Sequence, residues 1–394
     1  MIFMNTRVLL LGAALAAACA GAVRAAVDPA SPVMLAGPWV PSNPQAIDFA
    51  ALPRITSQHA TVSDVLAANG HRVNQHNYLV HFAGRFWAMW SDGPGESRGP
   101  GKTPGHDRAD QHVSFATSPD GLNWSAIGNM TGRPDPGYGW IARGFWVREG
   151  QLLALASRYE APGYAGPGLS LHAFELATAP DAATPAWRHK GLVYDNALNN
   201  FSPAQLPSGE WMMSRRDGNQ DVHYLVGGVH GFNRWQSFPA ASYRDGKSRP
   251  EEPYWWVLPD GRTIAALYRD NGRSGFLARA FSTDNGRTWT APVRTNFPDA
   301  TSKFSGVRLP DGRYILVSNA NPKLRDPLTL AVSRDGLVFT AMGYLVGGRI
   351  VDYPHVIHHD GALYVAFATA KQTVEVLKVH VSEVDRIERA QQAR

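Results

Sequence analysis

Two histidines stand where the chain could carry out acid–base chemistry. His76 lies within the triplet Gln75-His76-Asn77, and His112 follows Gln111, each at the start of an apolar run typical of a β-strand. An imidazole titrates close to neutral pH, where few other side chains can take or give a proton. Two imidazoles near a guanidinium could abstract a proton beside a carboxylate, because the guanidinium would neutralise that carboxylate.

A repeated hairpin must position these residues. Apolar runs meet at a glycine-marked turn six times, at Gly84, Gly150, Gly209, Gly261, Gly312 and Gly361. The last three intervals are 52, 51 and 49 residues, whereas the first two are 66 and 59 and include longer loops. Repetition with a period near fifty and four short strands per repeat predicts a β-propeller.

Residues 249–293 show one complete repeat. Its four predicted strands are residues 254–258, 263–268, 276–282 and 288–292. The first two flank Asp260-Gly261, a strong hairpin signal. Residues 282–289 read STDNGRTW and match the Asp-box pattern S-x-D-x-G-x-T-W of sialidase-type propellers, with degenerate copies at 118–124 and 333–339. In such a box Ser282 and Asp284 can satisfy turn amides while Trp289 buries the corner.

These patterns predict an all-β fold, a single propeller domain over residues 27–394. The chain that remains after residue 26 is long enough for seven units of about fifty residues, so a seven-bladed ring is expected, with six blades as the alternative. Residues 31–65, which are rich in proline, are assigned to the seventh blade or to its closing strands.

The N-terminus is predicted to be a signal peptide. Arg7 precedes the apolar stretch of residues 8–18, and small residues follow near Ala25, so cleavage is expected after about residue 26. The apolar stretch is too short for a membrane span. A periplasmic or secreted protein is therefore expected. Lipidation at Cys19, the single cysteine of the chain, is the alternative.

Charge limits the classes of partner. Removal of residues 1–26 takes away Arg7 and Arg24 and lowers the formal net charge from +5 to +3. A mildly basic protein suits an acidic substrate, but the chain has no Lys/Arg run and no recognition helix, so nucleic acid is not an expected partner. We expect a monomer that uses no cofactor.

The predicted hairpins bring the entrances of the first strands to one face, opposite the Asp-box turn, and a ligand is expected on that face. The substrate-binding candidates are Gln75, Asn77, Arg143, Asn200, Arg215, Arg216, Glu252, Lys303 and His355. Arg269 beside Glu251 and Glu252 has a structural ion pair as its alternative. No metal is assigned to His355, His358 and His359, because strand alternation points His358 and His359 to opposite sides. Residues 93–110 form an insertion that is either a disordered loop or a lid over His76.

As a whole, residues 70–385 resemble a branch of secreted, sialidase-like propellers that cleave uronic-acid polysaccharides, namely the ulvan-lyase type and the rhamnosyl-glucuronate lyases and rhamnohydrolases. The segments that carry the resemblance are QHN at 75–77, FWAMWSDG at 86–93, RGFWV at 143–147, LPSGEWMMSRRD at 206–217 and TNFPDATSKF at 295–304. The lyases of this branch use two histidines, an arginine and a tyrosine. The resemblance implies His76, His112 and Arg158 for the first three, and Tyr138 for the fourth, with Tyr159 and Tyr224 as alternatives.

The resemblance implies cleavage of α-L-rhamnosyl-(1→4)-glucuronate linkages in an acidic oligo- or polysaccharide, by β-elimination. The first alternative is a glycoside hydrolase of the rhamnohydrolase or exo-sialidase type with carboxylates around Glu252. A sialidase requires three arginines and a Tyr/Glu pair, for which Arg54, Glu252 and Arg269 offer a partial match. The second alternative is a glycan-binding propeller without catalytic activity.

Overall fold

The computed structural model describes residues 27–99, 102–242 and 248–392. These residues form six antiparallel sheets of four strands each, arranged around a central channel, and the inner strand of the first sheet packs against those of the second and the last. The prediction of a propeller with four-stranded blades is therefore confirmed. The predicted signal peptide, residues 1–26, lies outside the described residues.

Each blade runs outward from an inner strand that faces the channel. The first blade comprises β2 Arg72–Phe82, β3 Arg85–Pro94, β4 His112–Ser118 and β5 Gly128–Asn129. The second comprises β6 Tyr138–Arg148, β7 Gln151–Glu160, β8 Ser170–Leu176 and β9 Trp187–Asp195. The third comprises β10 Ala204–Gln205, β11 Trp211–Arg216, β12 Val222–Gly227 and β13 Trp235–Ala241. The next two comprise β14 Pro250–Val257, β15 Ile264–Asp270, β16 Phe276–Ser282 and β17 Val293–Pro298; and β18 Ser305–Arg308, β19 Tyr314–Ser318, β20 Leu328–Ser333 and β21 Phe339–Val346. The sixth comprises β22 Val351–His359, β23 Ala362–Thr369, β24 Thr373–His380 and, outermost, β1 Gln58–Asp64.

The expectation of seven blades is wrong, since the described residues form six. The N-terminal segment supplies one closing strand instead of a blade, because β1 pairs with β24 in a register that runs from Gln58↔Lys378 to Asp64↔Thr373. Closure by one strand leaves the ring without an open seam in its last sheet.

Residues 27–57 form a strap along the fourth and fifth blades. Leu35 bridges to Phe339, and the Asn296 side chain accepts hydrogen bonds from the backbone N–H groups of Met34 and Leu35, both at 2.8 Å. Met34 and Leu35 are buried in the same cluster as Phe339. The strap therefore covers apolar edges that an additional blade would otherwise have covered.

The Asp box forms the predicted turn. Ser282 Oγ donates to Asp284 Oδ1 at 2.9 Å, and Asp284 accepts from the N–H of Arg287 and from both the N–H and hydroxyl of Thr288. Trp289 stacks on Tyr224 with ring centroids 4.2 Å apart. The predicted strand at 288–292 is wrong, however. Thr288 and Trp289 belong to the turn, and β17 begins only at Val293.

The glycine-marked turns also agree with the prediction. All six turn glycines have positive φ, between 69° and 92°, a region that a Cβ atom disfavours. A terminal helix, α1 Val381–Gln392, packs against β21 and β24 and buries Val384 and Ile387. Within the described ranges, no helix has the length and apolarity needed to cross a bilayer.

Candidate functional site

Four inner strands carry a β-bulge at this end of the channel; the one in β6 lies at Arg143, and the other three share a further feature. The register of β2, β14 and β22 against their neighbours breaks at His76, Glu252 and Tyr353. All three residues have positive φ, of 56°, 48° and 53°. A bulge redirects side chains, and a non-glycine residue in the left-handed region is a strained feature that clusters at functional sites.

The three bulges share a local sequence pattern. His76-Asn77-Tyr78, Glu252-Pro253-Tyr254 and Tyr353-Pro354-His355 each place the redirected residue first and a ring two positions later. Proline is tolerated at a bulge because the residue there need not donate to the ladder. Comparison of the repeats would therefore have placed Tyr353 beside His76 and Glu252.

Tyr353 lies at the centre of the resulting site. Its ring stacks on that of His76 with centroids 5.0 Å apart and an interplanar angle of 18°. The Lys371 ammonium lies 5.0 Å from the Tyr353 ring centroid and the Arg325 guanidinium 5.6 Å. The Arg269 guanidinium also interacts electrostatically with the Tyr353 side chain. Groups from the first, fourth, fifth and sixth blades thus converge on one phenol.

These cations change the acidity of Tyr353. Burial alone would raise its pKa, but Lys371, Arg325 and Arg269 outweigh burial and the opposing charge of Glu252, so the pKa is lowered from its ordinary value. The other buried channel tyrosines differ: burial raises the pKa of Tyr78 to about 12 and that of Tyr164 well above its ordinary value. Tyr353 is therefore the phenol suited to act as a nucleophile or base.

Two adjacent carboxylates lie beside this phenol. Glu252 Oε2 is 2.6 Å from Arg269 Nη1, and Glu251 pairs with both Arg269 and Arg216. Burial would raise the pKa of Glu252, but Arg269, Lys303 and Arg143 lower it, so the carboxylate is ionised at neutral pH. Arg269 thus interacts with both Tyr353 and Glu252 and holds them at one place.

The site has more basic than acidic side chains. The basic groups are Arg143, Arg216, Arg269, Arg325 and Lys371, and the acids are Glu251, Glu252 and Asp352. Arg143 is 1% exposed, and its Nε and Nη1 have no hydrogen-bond partner in the described structure. The buried amides of Asn77 and Asn200 are likewise unpaired there. Unpaired donors in a basic cavity favour an anionic, hydrogen-bonding ligand.

His76 is a neutral imidazole in this environment. Burial, followed by the charges of Arg143 and Lys303, lowers its pKa well below the ordinary value. Its Nδ1 lies 3.2 Å from Ser91 Oγ, which accepts the backbone N–H of Ala142 at 2.9 Å. Since Ser91 already accepts that bond, its hydroxyl proton is available to His76 Nδ1.

Lys303 closes the channel beneath the site. It is fully buried, and its Nζ donates to Tyr78 Oη at 2.7 Å and lies 4.6 Å from the Phe201 ring centroid. Tyr78 Oη in turn donates to the Asn200 carbonyl at 2.7 Å. His355 packs edge-on against Tyr78, below this layer. Lys303 and His355 therefore form the floor of the site.

Two insertions form part of its mouth. The described part of the 93–110 insertion brings His106 within 3.2 Å of Lys371 Nζ. The loop after β7 brings Tyr164, whose hydroxyl donates to the His106 carbonyl and whose ring lies edge-on to His76 at 6.0 Å. Gln75 donates to the Tyr164 hydroxyl at 3.2 Å. Of the two expectations for this insertion, the described residues match a segment placed over the His76 region.

The remaining predicted catalytic residues lie on the rim: Tyr138 begins the inner strand β6, Arg158 lies on β7 and His112 begins β4. His112 pairs in register with Asp92, which pairs with Asn74, so two strand spacings separate it from the inner strand of its blade. Arg158 binds Asp135 at 2.8 Å and stacks on Tyr138 at 3.5 Å. The resolved contacts of Tyr353 and His76 do not include these three residues, and their catalytic roles stay predictions.

The substrate-binding candidates divide between two regions. Arg143, Arg216, Glu252 and Lys303 converge on the channel, together with Gln75, Asn77, Asn200 and, lower down, His355. Arg215 points the other way, with its guanidinium 5.2 Å from the Tyr194 ring. Alternation along β11 explains the difference, since successive side chains point to opposite faces.

Sequence reasoning left Tyr353 out of the site, and it also missed Arg325, His106, Tyr164 and the full role of Arg269. Arg325, His106 and Tyr164 come from loops, where no strand periodicity indicates direction. Arg269 was interpreted as a structural partner of Glu251 and Glu252, and its ion pairs with them do form. Its further interaction with Tyr353 joins the fourth and sixth blades. The spacing of the repeats does not indicate contacts across the channel. In the described ranges, no cluster of three or more His, Cys, Asp or Glu residues could hold a metal.

Comparison with known proteins was informative for the fold. Residues 202–365 match a family model described as a BNR repeat-like domain. A protein of unknown function from Dyadobacter fermentans superposes with a TM-score of 0.65 at 15% identity, covering 83% of this chain and 98% of that one. A sialidase gives 0.60 at 18% identity, covering 89% and 35%. A mutant Trypanosoma rangeli sialidase displaying trans-sialidase activity gives 0.61 at 14% identity, covering 86% and 61%.

The chain therefore spans about a third of the first sialidase and less than two thirds of the second. No curated protein sequence matches it. At these identities the comparisons establish a shared architecture, so this chain is similar in fold to the sialidase-like β-propellers.

Proposed function

We propose that this protein is a glycoside hydrolase that cleaves the glycosidic bond of an acidic sugar, with Tyr353 as the nucleophile. The observation that carries the proposal is the position of Tyr353 among Lys371, Arg325 and Arg269 and beside Glu252, an arrangement that lowers the pKa of the phenol. The similarity in fold to propellers described as sialidases supports it. Carbohydrate is a fitting ligand class because the cavity combines charge with several unpaired amide and guanidinium donors.

Each residue has a defined task in this reaction. The free donors of Arg143 and the surrounding basic groups bind the carboxylate of the sugar. Tyr353 Oη attacks the anomeric carbon and passes its proton to Glu252, while the bond to the leaving oxygen breaks and that oxygen takes a proton from a donor at the channel mouth. Water then attacks the same carbon, restores that donor and releases Tyr353, which recovers its proton from Glu252.

A second candidate is β-elimination on a uronate, including the α-L-rhamnosyl-(1→4)-glucuronate linkage. The stacking of neutral His76 on Tyr353 favours it, since a neutral imidazole and a phenol of lowered pKa can share proton abstraction at C5. The basic groups around them would neutralise the uronate carboxylate. Either reaction suits an exported enzyme that meets acidic glycans in the periplasm or outside the cell.

One set of assays separates these reactions. The full-length protein is incubated with aryl glycosides of glucuronic, galacturonic and sialic acid and with rhamnosyl-glucuronate oligosaccharides. We expect release of the acidic sugar with retained anomeric configuration, read by NMR, because two displacements at one carbon restore its configuration. Ultraviolet absorbance from an unsaturated uronate would establish the lyase instead. Saturable binding without any product would leave a glycan-binding propeller.

A further inference from the structure

A second cavity adjoins the site between the fourth and fifth blades. It has a volume of about 460 Å³ and is lined by Thr301, Arg325 and Ile350, together with loop residues of the fourth and fifth blades, among them Arg273, Lys323 and Leu324. This volume lies in the range of cavities that hold small ligands. It is large enough for one sugar unit.

The cavity is basic throughout. Arg273, Lys323 and Arg325 line it, and no Asp or Glu is among its lining residues. Arg325 pairs with Asp352 at 2.6 Å. Arg273 and Lys323 are exposed and form no ion pair with any residue of the described ranges. Two cations that no neighbouring carboxylate neutralises favour an anionic ligand.

Arg325 connects this cavity to the site. Its Nη2 donates to the Thr301 carbonyl at 2.8 Å, and both residues line the cavity. On its other side the guanidinium lies 5.6 Å from the Tyr353 ring and acts on the pKa of His106. A ligand that begins over Tyr353 and extends past Arg325 therefore enters the second cavity directly.

The rim adds an apolar contact. The Leu324 side chain is 60% exposed between Lys323 and Arg325. Sugar rings present one apolar C–H face and a rim of polar groups. A leucine flanked by cations matches a ring that carries a carboxylate.

We propose that this cavity is a subsite for a second acidic sugar, so that the substrate is a glycan with a second charged unit next to the reacting one. The inference rests on the proposed function in one respect, that the first acidic sugar lies over Tyr353. It assigns the substrate class as polyanionic, in contrast to a neutral glycan with a single acidic end.

Binding by calorimetry tests the subsite without requiring turnover. The probes are galacturonic acid and trigalacturonate, titrated into the wild-type protein, the R273Q/K323Q variant and the control R262Q/R308Q. The control removes the same charge from exposed arginines near the hairpin turns of the opposite face. We expect trigalacturonate to bind the wild type about tenfold more tightly than the monomer, as a few exposed ion pairs would produce.

The R273Q/K323Q variant should lose most of this advantage, keep its affinity for the monomer and show a weaker dependence on salt, while the control retains the wild-type ratio. An unchanged ratio in R273Q/K323Q, an equal loss in the control, or no preference of the wild type for the trimer would overturn the subsite. Failure of the proposed function is distinguishable, because it would appear as full turnover in Tyr353→Phe and would leave these affinities unchanged.

Discussion

The two ends of the fourth blade contrast in how their polar groups are satisfied. At the Asp box, Asp284 accepts hydrogen bonds from Arg287 and Thr288, only three and four residues away. At the channel end, Glu251 and Glu252 depend on Arg216 and Arg269 and on charges from other blades. Local satisfaction stabilises a turn, whereas charges gathered from distant strands leave donors available for a ligand.

The largest expected effect separates the channel end from the turn. Tyr353→Phe removes only the hydroxyl, and we expect kcat to fall by at least about 10³-fold with an unchanged melting temperature, because the nucleophile is lost while the ring keeps its stacking on His76. Activity assays and differential scanning calorimetry on one preparation measure both. Wild-type activity in this variant would remove Tyr353 from the mechanism.

The converse variant is Asp284→Ala at the Asp box. It leaves two backbone N–H groups and the Thr288 hydroxyl without their acceptor, so the free energy of unfolding should fall by about 2 kcal/mol. Activity per folded molecule should stay at the wild-type level. Denaturant titration followed by an assay of the folded protein checks both parts. A loss of kcat at full stability would contradict the contrast between the two ends.

The third prediction concerns a buried acid behind the channel end. Burial, only partly offset by Arg269, raises the pKa of Asp299 to about 7. A raised pKa stabilises the fold at low pH, and this contribution is lost as pH rises from about 4 through about 7, by up to about 1.4 kcal/mol per pH unit. Asp299→Asn should remove this loss, as unfolding measured between pH 4 and 8 would show.

A matched control for that experiment is Asp311→Asn. Asp311 is a half-exposed partner of Arg313, whose hydrogen bonds lower the carboxyl pKa although burial opposes them. Its effect on stability is therefore complete above the ordinary carboxyl range and adds no slope between about pH 5 and 8. A pH slope that persists in Asp299→Asn would assign the buried proton to another group.

The smallest expected effect concerns the rim. His112 is 3.9 Å from Asp92, and its side chain is partly exposed. If hydrolysis at Tyr353 is the reaction, His112→Ala should change kcat less than twofold, and such a position usually costs well under ~1 kcal/mol of stability. A fall of about 10²-fold without loss of folding would instead show that the rim group of His112, Arg158 and Tyr138 acts in β-elimination.

The same contrast explains what the sequence could reveal. The propeller, its turn glycines and the Asp box were predictable because each signal is local and recurs about every fifty residues. The blade number was wrong because length alone does not distinguish a strap such as residues 27–57 from a blade. His76, Arg143 and Glu252 were found from strand entrances. Arg325 was not, because it comes from a loop without strand periodicity, and Tyr353 was not, although its bulge pattern matches those of His76 and Glu252.

The closing strand has a consequence for the order of folding. β1 leaves the ribosome early, yet its partner β24 is made more than three hundred residues later. Until then β1 is an unpaired strand, the kind of segment that templates misassembly. Its sequence, QHATVSD, is polar and mostly exposed in the finished sheet. A strand of this composition stays soluble while it is unpaired, so the ring can close after the other strands have formed.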